Sequence, residues 1–143
     1  MESKQTHTKE FVQQLIPQKW PFVMVDALHS YSETEIVSGL EIAEDNLFVR
    51  DSRLAEAGLV EHMAQSVALH TGYQFFLRNE PAPTGYIGAI SSISIQRLPE
   101  LGEKVITTVR ILQEFGGITL VDISSKIGDE EIAVGQMKTV LAK

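Results

Sequence analysis

Gly58-Leu59-Val60-Glu61-His62-Met63-Ala64-Gln65 is the stretch that decides the fold of this chain. It opens a helical segment from about residue 56 to residue 79 that has no proline and only two glycines, Gly58 and Gly72. Apolar residues cover most of the circumference of that helix, which indicates a rod buried on nearly all sides rather than on one face: Val60, Met63, Ala64, Val67, Ala68, Phe75 and Phe76. A carboxylate set near the start of such a rod loses hydration, which favours its protonated form, so Glu61 could donate a proton near neutral pH.

Composition limits the classes of protein that fit. The 143 residues suit one domain, predicted to span 1–143, and 43% apolar with 22% charged residues is typical of a globular protein. The long helix carries too many polar groups to span a membrane. The net charge of −7 argues against nucleic acid. The absence of cysteine excludes disulfides and thiolate sites, and with no signal-peptide pattern at the N-terminus we expect a cytoplasmic location.

The other elements are read from periodicity. A short helix is expected at 9–15, strands at 22–28 and 35–42, and an irregular segment at 46–55. Beyond a break at 79–83 the period becomes two, which predicts strands at 86–97, 104–112, 118–127 and 132–141 joined by hairpins. A rod buried on nearly all sides needs a sheet that curls around it. The sequence therefore predicts an α+β domain in which a curled antiparallel sheet wraps one long central helix.

This order of elements resembles the hot-dog fold, and three motifs resemble the 3-hydroxyacyl-acyl carrier protein dehydratases of fatty acid synthesis. The family's opening L-L-P-H-R-Y-P-F-L-L-V-D corresponds to residues 15–26, Leu-Ile-Pro-Gln-Lys-Trp-Pro-Phe-Val-Met-Val-Asp. Its helix motif V-E-A-M-A-Q corresponds to residues 60–65, which differ only at His62. Its later V-x-P-G-D-x-L turn is similar to residues 98–105, Leu-Pro-Glu-Leu-Gly-Glu-Lys-Val. The resemblance implies conversion of a carrier-bound 3-hydroxyacyl thioester to the trans-2-enoyl thioester, with Glu61 as the acid.

One catalytic residue of that family is missing. The family pairs its helix glutamate with a histidine in the motif G-H-F-P. That motif falls on Asn46-Leu47-Phe48-Val49, so leucine occupies the position of the histidine. A positioned general base contributes about 10²–10⁴-fold. Three interpretations stay open: a variant similar to the dehydratase-like proteins of aryl polyene pathways, a subunit that pairs with another dehydratase, or a protein that keeps only acyl binding. A hot-dog thioesterase is a further alternative, because it needs Glu61 and not the histidine.

The remaining candidates surround Glu61. His62 and Asn46 are candidate catalytic residues, although each could also bond only within the protein. The resemblance places substrate near Gly58, Leu47, Phe48, Gln65 and Gln18, with backbone amides at the helix start holding the thioester oxygen. Gly58 could instead permit close helix packing. Arg50 and Arg53 lead into the helix and are candidate docking residues for an acidic carrier.

Partners and cofactors follow from the same resemblance. It implies an acyl carrier protein with a phosphopantetheine-linked acyl chain. The exposed edges of a six-stranded sheet also predict a homodimer, or a heterodimer with another hot-dog dehydratase. No cofactor is implied, because the chain has no phosphate-cradling glycine loop and loss of water needs no redox centre. No metal site is expected, since His62 and His70 do not form the H-E-x-x-H pattern.

Overall fold

Six antiparallel strands form one sheet, and the long helix predicted from residue 56 lies against it. The computed structural model describes residues 7–82 and 85–142, so residues 1–6, 83–84 and 143 of the predicted domain lie outside the described part. The elements in chain order are α1 (Lys9–Gln13), β1 (Ala27–Tyr31), β2 (Glu35–Glu41), β3 (Val49–Arg50), β4 (Arg53–Leu54), α2 (Glu56–Leu77), β5 (Gly85–Ile95), β6 (Lys104–Phe115), β7 (Ile118–Ile127) and β8 (Glu130–Ala142).

The sheet order is β1-β2-β6-β7-β8-β5, and each neighbouring pair is antiparallel. Tight turns set the register of the last three strands. Gly116 and Gly117 both take a positive φ in the two-residue turn between β6 and β7, a conformation that costs glycine least. The strand β5 lies at one edge of the sheet, although it is the fifth strand along the chain. Its outer side therefore has no partner strand among the described residues.

The prediction of a strand at 22–28 is wrong for most of that range. Strand β1 begins only at Ala27, and the residues before it lie beside α2. An apolar run such as Phe22-Val23-Met24-Val25 looks the same in sequence whether its partner is a strand or a helix. The segment predicted to be irregular also holds a small hairpin, in which β3 pairs with β4. Helix α1 ends at Gln13, two residues earlier than expected.

Helix α2 is buried on most sides and contacts β2, β6 and β7. It ends where Asn79 takes a left-handed conformation, with a φ of 56°. Gly72 lies where the chain leaving α1 crosses this helix. A Cβ atom at Gly72 would overlap the carbonyl oxygen of Leu15, so the close crossing depends on glycine.

Two series of buried hydrogen bonds join α2 to the sheet. His62 is 0% exposed, and its Nδ1 lies 2.7 Å from the carbonyl oxygen of Met24 while its Nε2 lies 2.7 Å from Thr107 Oγ1. A carbonyl only accepts, so Nδ1 carries the proton and Nε2 accepts from Thr107, which in turn accepts from Ser125 at 2.6 Å. In the second series Ser66 donates to the His62 carbonyl and accepts from Ser38. In its neutral form His62 therefore has a hydrogen-bond partner for each of its two ring nitrogens.

We expect Gly72→Ala to destabilise the protein. An alanine in open space would stabilise the helix by about 0.5–1 kcal/mol, but overlap with the Leu15 carbonyl should instead cost about 2–3 kcal/mol. Thr71→Ala is the matched control at the next, partly exposed position, and should change stability by less than about 0.5 kcal/mol. Urea unfolding of the three proteins measures this difference. An equal or higher stability of Gly72→Ala would show that the crossing is looser than described.

Acid should weaken the protein through His62. Burial lowers the pKa of His62 from its ordinary 6.5 to about 4, and the bond to Met24 opposes this only in part. The histidine therefore binds its proton more weakly when folded, so its stabilising contribution is complete above about pH 6.5 and is lost as the pH falls toward 4. The loss amounts to about 3 kcal/mol over that window. The free energy of unfolding, measured against pH for wild type and His62→Leu, isolates this residue; parallel curves would contradict the expectation.

Candidate active site

Glu61 lies on the one stripe of α2 that is not fully buried. Its side chain is half-buried, and the other partly exposed residues of the stripe are Val60, Ala64, Thr71, Gln74 and Phe75. The neighbours on this stripe are mainly apolar or uncharged. Glu61 is therefore a carboxylate that solvent or a ligand can reach, set within a surface of low polarity.

Gln65, one turn further along α2, fixes the position of that carboxylate. Its Nε2 donates to Glu61 Oε2 at 2.7 Å and, with its second hydrogen, to the Phe22 carbonyl at 2.8 Å. Its Oε1 accepts from the Met24 amide at 2.6 Å. Gln65 is 1% exposed, so these bonds are shielded from water. One oxygen of the half-buried Glu61 carboxylate is thus held by a hydrogen bond within the protein.

The segment from Trp20 to Met24 flanks Glu61, and its importance was not predicted. Trp20 and Phe22 are each 57% exposed, a large exposure for aromatic side chains. Met24 lies behind them and is fully buried. The signal in the sequence was a glutamine in a helix expected to be largely buried, because a buried amide needs partners. Nothing in the sequence showed that those partners come from this segment.

A cleft of about 220 Å³ opens on the other side of the same segment. Trp20, Val23 and Met24 line it together with Asn46 from the loop after β2 and Asp26. Burial raises the pKa of the Asp26 carboxyl, although the bond that its Oδ2 accepts from the Glu41 amide opposes this. The wall of the cleft is therefore apolar in part, and it also carries the acidic residues Asp26, Glu41 and Asp45.

The loop that replaces the family's histidine motif is organised by Asn46. Its Oδ1 accepts from the Phe48 amide at 2.8 Å, and its Nδ2 lies 3.4 Å from Met24 Sδ. The side chain thus forms a local turn, which favours a structural role; a catalytic role for Asn46 stays a prediction. Leu47, next in the loop, is 47% exposed, and Phe48 packs against the core.

Gly58 lies beneath that loop. A Cβ atom there would come within 2.6 Å of Phe48 Cβ and 2.7 Å of Leu54 Cδ1, so the glycine permits close packing of loop on helix. Its amide donates to the Ala55 carbonyl at 2.9 Å. Of the two interpretations given for Gly58, the geometry favours packing, and contact with a thioester stays a prediction.

His62 and Gln18 are the remaining candidates close to the helix. The buried ring of His62 is directed toward Met24 and Thr107, and its bonds to them use both ring nitrogens. This placement favours a structural role over proton transfer to a ligand. Gln18 is half-buried, and its Oε1 is a buried acceptor with no hydrogen-bond partner among the described residues. It keeps the capacity to accept a bond from a ligand.

Arg50 and Arg53 are exposed and lie opposite each other in the β3–β4 hairpin. Asp51 and Ser52 between them both have left-handed backbone, with φ of 54° and 63°, which closes the turn tightly. The Leu101 amide donates to the Ser52 carbonyl at 2.8 Å, and this bond anchors the hairpin. The two arginines therefore lie side by side across the hairpin, a few residues before the start of α2.

Within residues 7–82 and 85–142 there is no group of three or more His, Asp or Glu side chains placed to hold a metal ion. Neither described helix is long and apolar enough to cross a membrane.

Similarity to solved structures identifies the fold. A chain of the dehydratase heterocomplex ApeI:P from Xenorhabdus doucetiae superposes with a TM-score of 0.80 at 15% identity, over 92% of this chain and 91% of that one. Zebrafish thioesterase superfamily member 2 gives a TM-score of 0.69 at 14% identity, over 95% and 99% of the two chains. The Escherichia coli PaaI protein, from the phenylacetic acid degradation operon, gives 0.62 at 13% identity over 79% and 80%. The predicted hot-dog fold is confirmed.

Sequence comparison identifies the family. No curated protein is similar enough in sequence to count as a match. The model of the ApeP-like family, described as ApeP dehydratase, matches residues 11–142. The resemblance to hot-dog dehydratases is thereby confirmed. Because that match covers nearly all of its length, the chain belongs to the ApeP-like dehydratase family.

Proposed function

We propose that this protein dehydrates 3-hydroxyacyl thioesters carried on an acyl carrier protein, in fatty acid or polyene-type lipid synthesis, with Glu61 as the acid. The observation that carries the proposal is the half-buried Glu61 carboxyl group, whose Oε2 accepts a hydrogen bond from Gln65 Nε2 at 2.7 Å. Membership of the ApeP-like dehydratase family supports the reaction class.

The reaction removes one proton and one hydroxyl group. A base takes the proton from carbon 2, the electron pair forms the double bond between carbons 2 and 3, and the bond from carbon 3 to oxygen breaks. Glu61 gives its proton to the departing oxygen, which leaves as water. Gln65 keeps the carboxyl in place during this transfer, so little reorganisation is needed.

The base is the open part of this mechanism, because Leu47 cannot accept a proton. Two sources fit the chemistry. Glu61 could act twice, taking the proton from carbon 2 as a carboxylate and passing it to the hydroxyl group. A histidine of a second hot-dog subunit could instead face Glu61. The structural similarity to a chain of a dehydratase heterocomplex supports the second source.

Formation of a dimer is the way in which a second subunit would supply that base. The outer side of β5 is unpaired within the protomer, and free strand edges are usually covered by another strand. Ile90, on this strand, is 39% exposed. We propose that two β5 edges pair, in a homodimer or with another hot-dog dehydratase, and that the pairing closes a site over Glu61.

Arg50 and Arg53 are proposed to dock the carrier. Carrier proteins of this kind are acidic, and this chain has a net charge of −7, so docking requires a local basic group. The β3–β4 hairpin presents both arginines together at the end of α2 where Glu61 lies.

A thioesterase is the second candidate. Structural similarity to a thioesterase superfamily member supports it, and so does the presence of a carboxylate without the family's histidine. In that reaction Glu61 would activate water, or attack the thioester itself, and free thiol would be released. A non-catalytic acyl-binding subunit is the third, because Leu47 removes the base.

Glu61→Gln should abolish dehydration. The amide keeps the shape of the side chain but cannot donate a carboxyl proton, so we expect a fall of at least about 10²-fold. Mass spectrometry of a carrier-bound 3-hydroxyacyl substrate detects the loss of one water molecule. The matched control is Glu56→Gln, an exposed glutamate in the first turn of the same helix, which should keep full activity. Release of thiol without loss of water would favour the thioesterase instead.

The second subunit can be tested by mass and by mixing. Light scattering should give twice the 15.9 kDa of one chain, because two β5 edges cover each other. If the base comes from a partner, dehydration should appear only when a histidine-bearing hot-dog dehydratase with its own acid removed is added. A monomer that stays at 15.9 kDa with and without that partner would contradict the proposed interface.

A further inference from the structure

His62 is the one residue at which this chain departs from the family's V-E-A-M-A-Q helix motif, where alanine stands. The replacement is large, polar and 0% exposed, so it needs partners inside the protein. It donates from Nδ1 to the Met24 carbonyl at 2.7 Å. The imidazole therefore adds a contact to the backbone beside Glu61 that an alanine could not make.

Gln65 completes the contact from the next turn of the helix. It accepts from the Met24 amide and donates to the Phe22 carbonyl, as a neighbouring strand would. Met24 thus has both its backbone groups bound by side chains of α2, its carbonyl by His62 and its amide by Gln65. The segment that the sequence predicted as a strand is held by two side chains in place of a partner strand.

The same Gln65 amide group also reaches Glu61. Both hydrogens of Nε2 are used, one on the Phe22 carbonyl and one on Glu61 Oε2. The orientation of Gln65 is therefore set by the backbone from Phe22 to Met24, and the orientation of Glu61 is set by Gln65. We therefore expect a movement of the Met24 peptide to be transmitted through Gln65 to the Glu61 carboxyl group.

We propose that His62 is a positioning residue: with Gln65 it clamps the Met24 peptide to α2 and thereby fixes the Glu61 carboxyl relative to the exposed Trp20–Phe22 segment. For its effect on catalysis this inference rests on the proposed function; for the clamp itself it does not. Loss of the His62 donor leaves the Met24 carbonyl buried without a partner. Because an unpaired buried carbonyl is costly, the segment relaxes toward water and Gln65 loses its fixed partners.

Hydrogen exchange at the Met24 amide tests the clamp without any substrate. That amide is bonded to Gln65 and not to His62, so a change caused by His62 reports their coupling. In His62→Leu, of similar size but without a donor, we expect Met24 to exchange at least about tenfold faster relative to the Val109 amide in the middle of the sheet. The Val109 amide corrects for any loss of global stability.

Two further variants separate the bond from mere packing. Asparagine places an N–H near the position of Nδ1, so His62→Asn should restore much of the Met24 protection although the bond to Thr107 is lost. Ser66→Ala removes an equally buried polar group one turn along, bonded to Ser38 and not to Met24, and should leave the Met24-to-Val109 ratio unchanged. Equal ratios in wild type and His62→Leu, or equal rises in His62→Asn and His62→Leu, would overturn the clamp.

The catalytic part is then tested with carrier-bound 3-hydroxyacyl substrate. His62→Leu should lower kcat about tenfold while KM changes little, because the acid is misplaced and not the binding surface, and His62→Asn should recover much of kcat. An unchanged kcat in His62→Leu despite fast Met24 exchange would overturn the link to Glu61. If wild type shows no dehydration either alone or with a histidine-bearing hot-dog partner added, the proposed function fails, whereas the exchange result still decides the clamp.

Discussion

The side-chain amide of Gln65 is the interaction on which the geometry around Glu61 depends. It joins helix α2 to the backbone from Phe22 to Met24, about forty residues earlier in the sequence, and it also binds the carboxyl group of Glu61 one turn back on the same helix. All its hydrogen-bonding groups are engaged except one lone pair, and the side chain is almost wholly buried. In such surroundings each bond is strong and each loss leaves a costly unpaired group. Glu61 therefore has a defined direction although its helix turn is partly open to solvent.

The polar residues inside α2 also fix how the helix is rotated. An apolar rod packed on most sides could turn about its axis with little change in buried area, since leucine and valine have no directional partners. His62, Ser66 and His70 remove this freedom, because each bonds one particular group: the Met24 carbonyl, Ser38 and the Ser32 carbonyl. The rotation that satisfies them leaves Glu61 on the open stripe. Directional bonds thus select one arrangement where hydrophobic burial alone would permit several.

The sequence alone was sufficient to predict those helices and strands whose hydrophobic period lies within the element itself. The helix from Glu56 and the strand Ile118–Ile127 have clear periods, and their limits were predicted closely. The segment 22–26 was misassigned because its partners lie about forty residues away in a helix, and an apolar run carries no mark of its partner. Asn46 was predicted as a candidate catalytic residue, but the sequence did not show that its side-chain oxygen accepts a hydrogen bond from the Phe48 amide in its own loop. Such roles depend on distances between elements, which periodicity does not contain.

Leu47 gives the final constraint on mechanism. It replaces a base with an apolar side chain that is 47% exposed, close to a cleft lined by the exposed ring of Trp20. Exposed apolar surface of this kind is unfavourable in an isolated protomer, and that cost is removed when an acyl chain or another subunit covers it. The covering also excludes water, which strengthens the bond from Gln65 to Glu61. On the proposed function, the protomer supplies an oriented acid and an apolar wall. The surface that covers them is then the place from which a base held outside this chain would act.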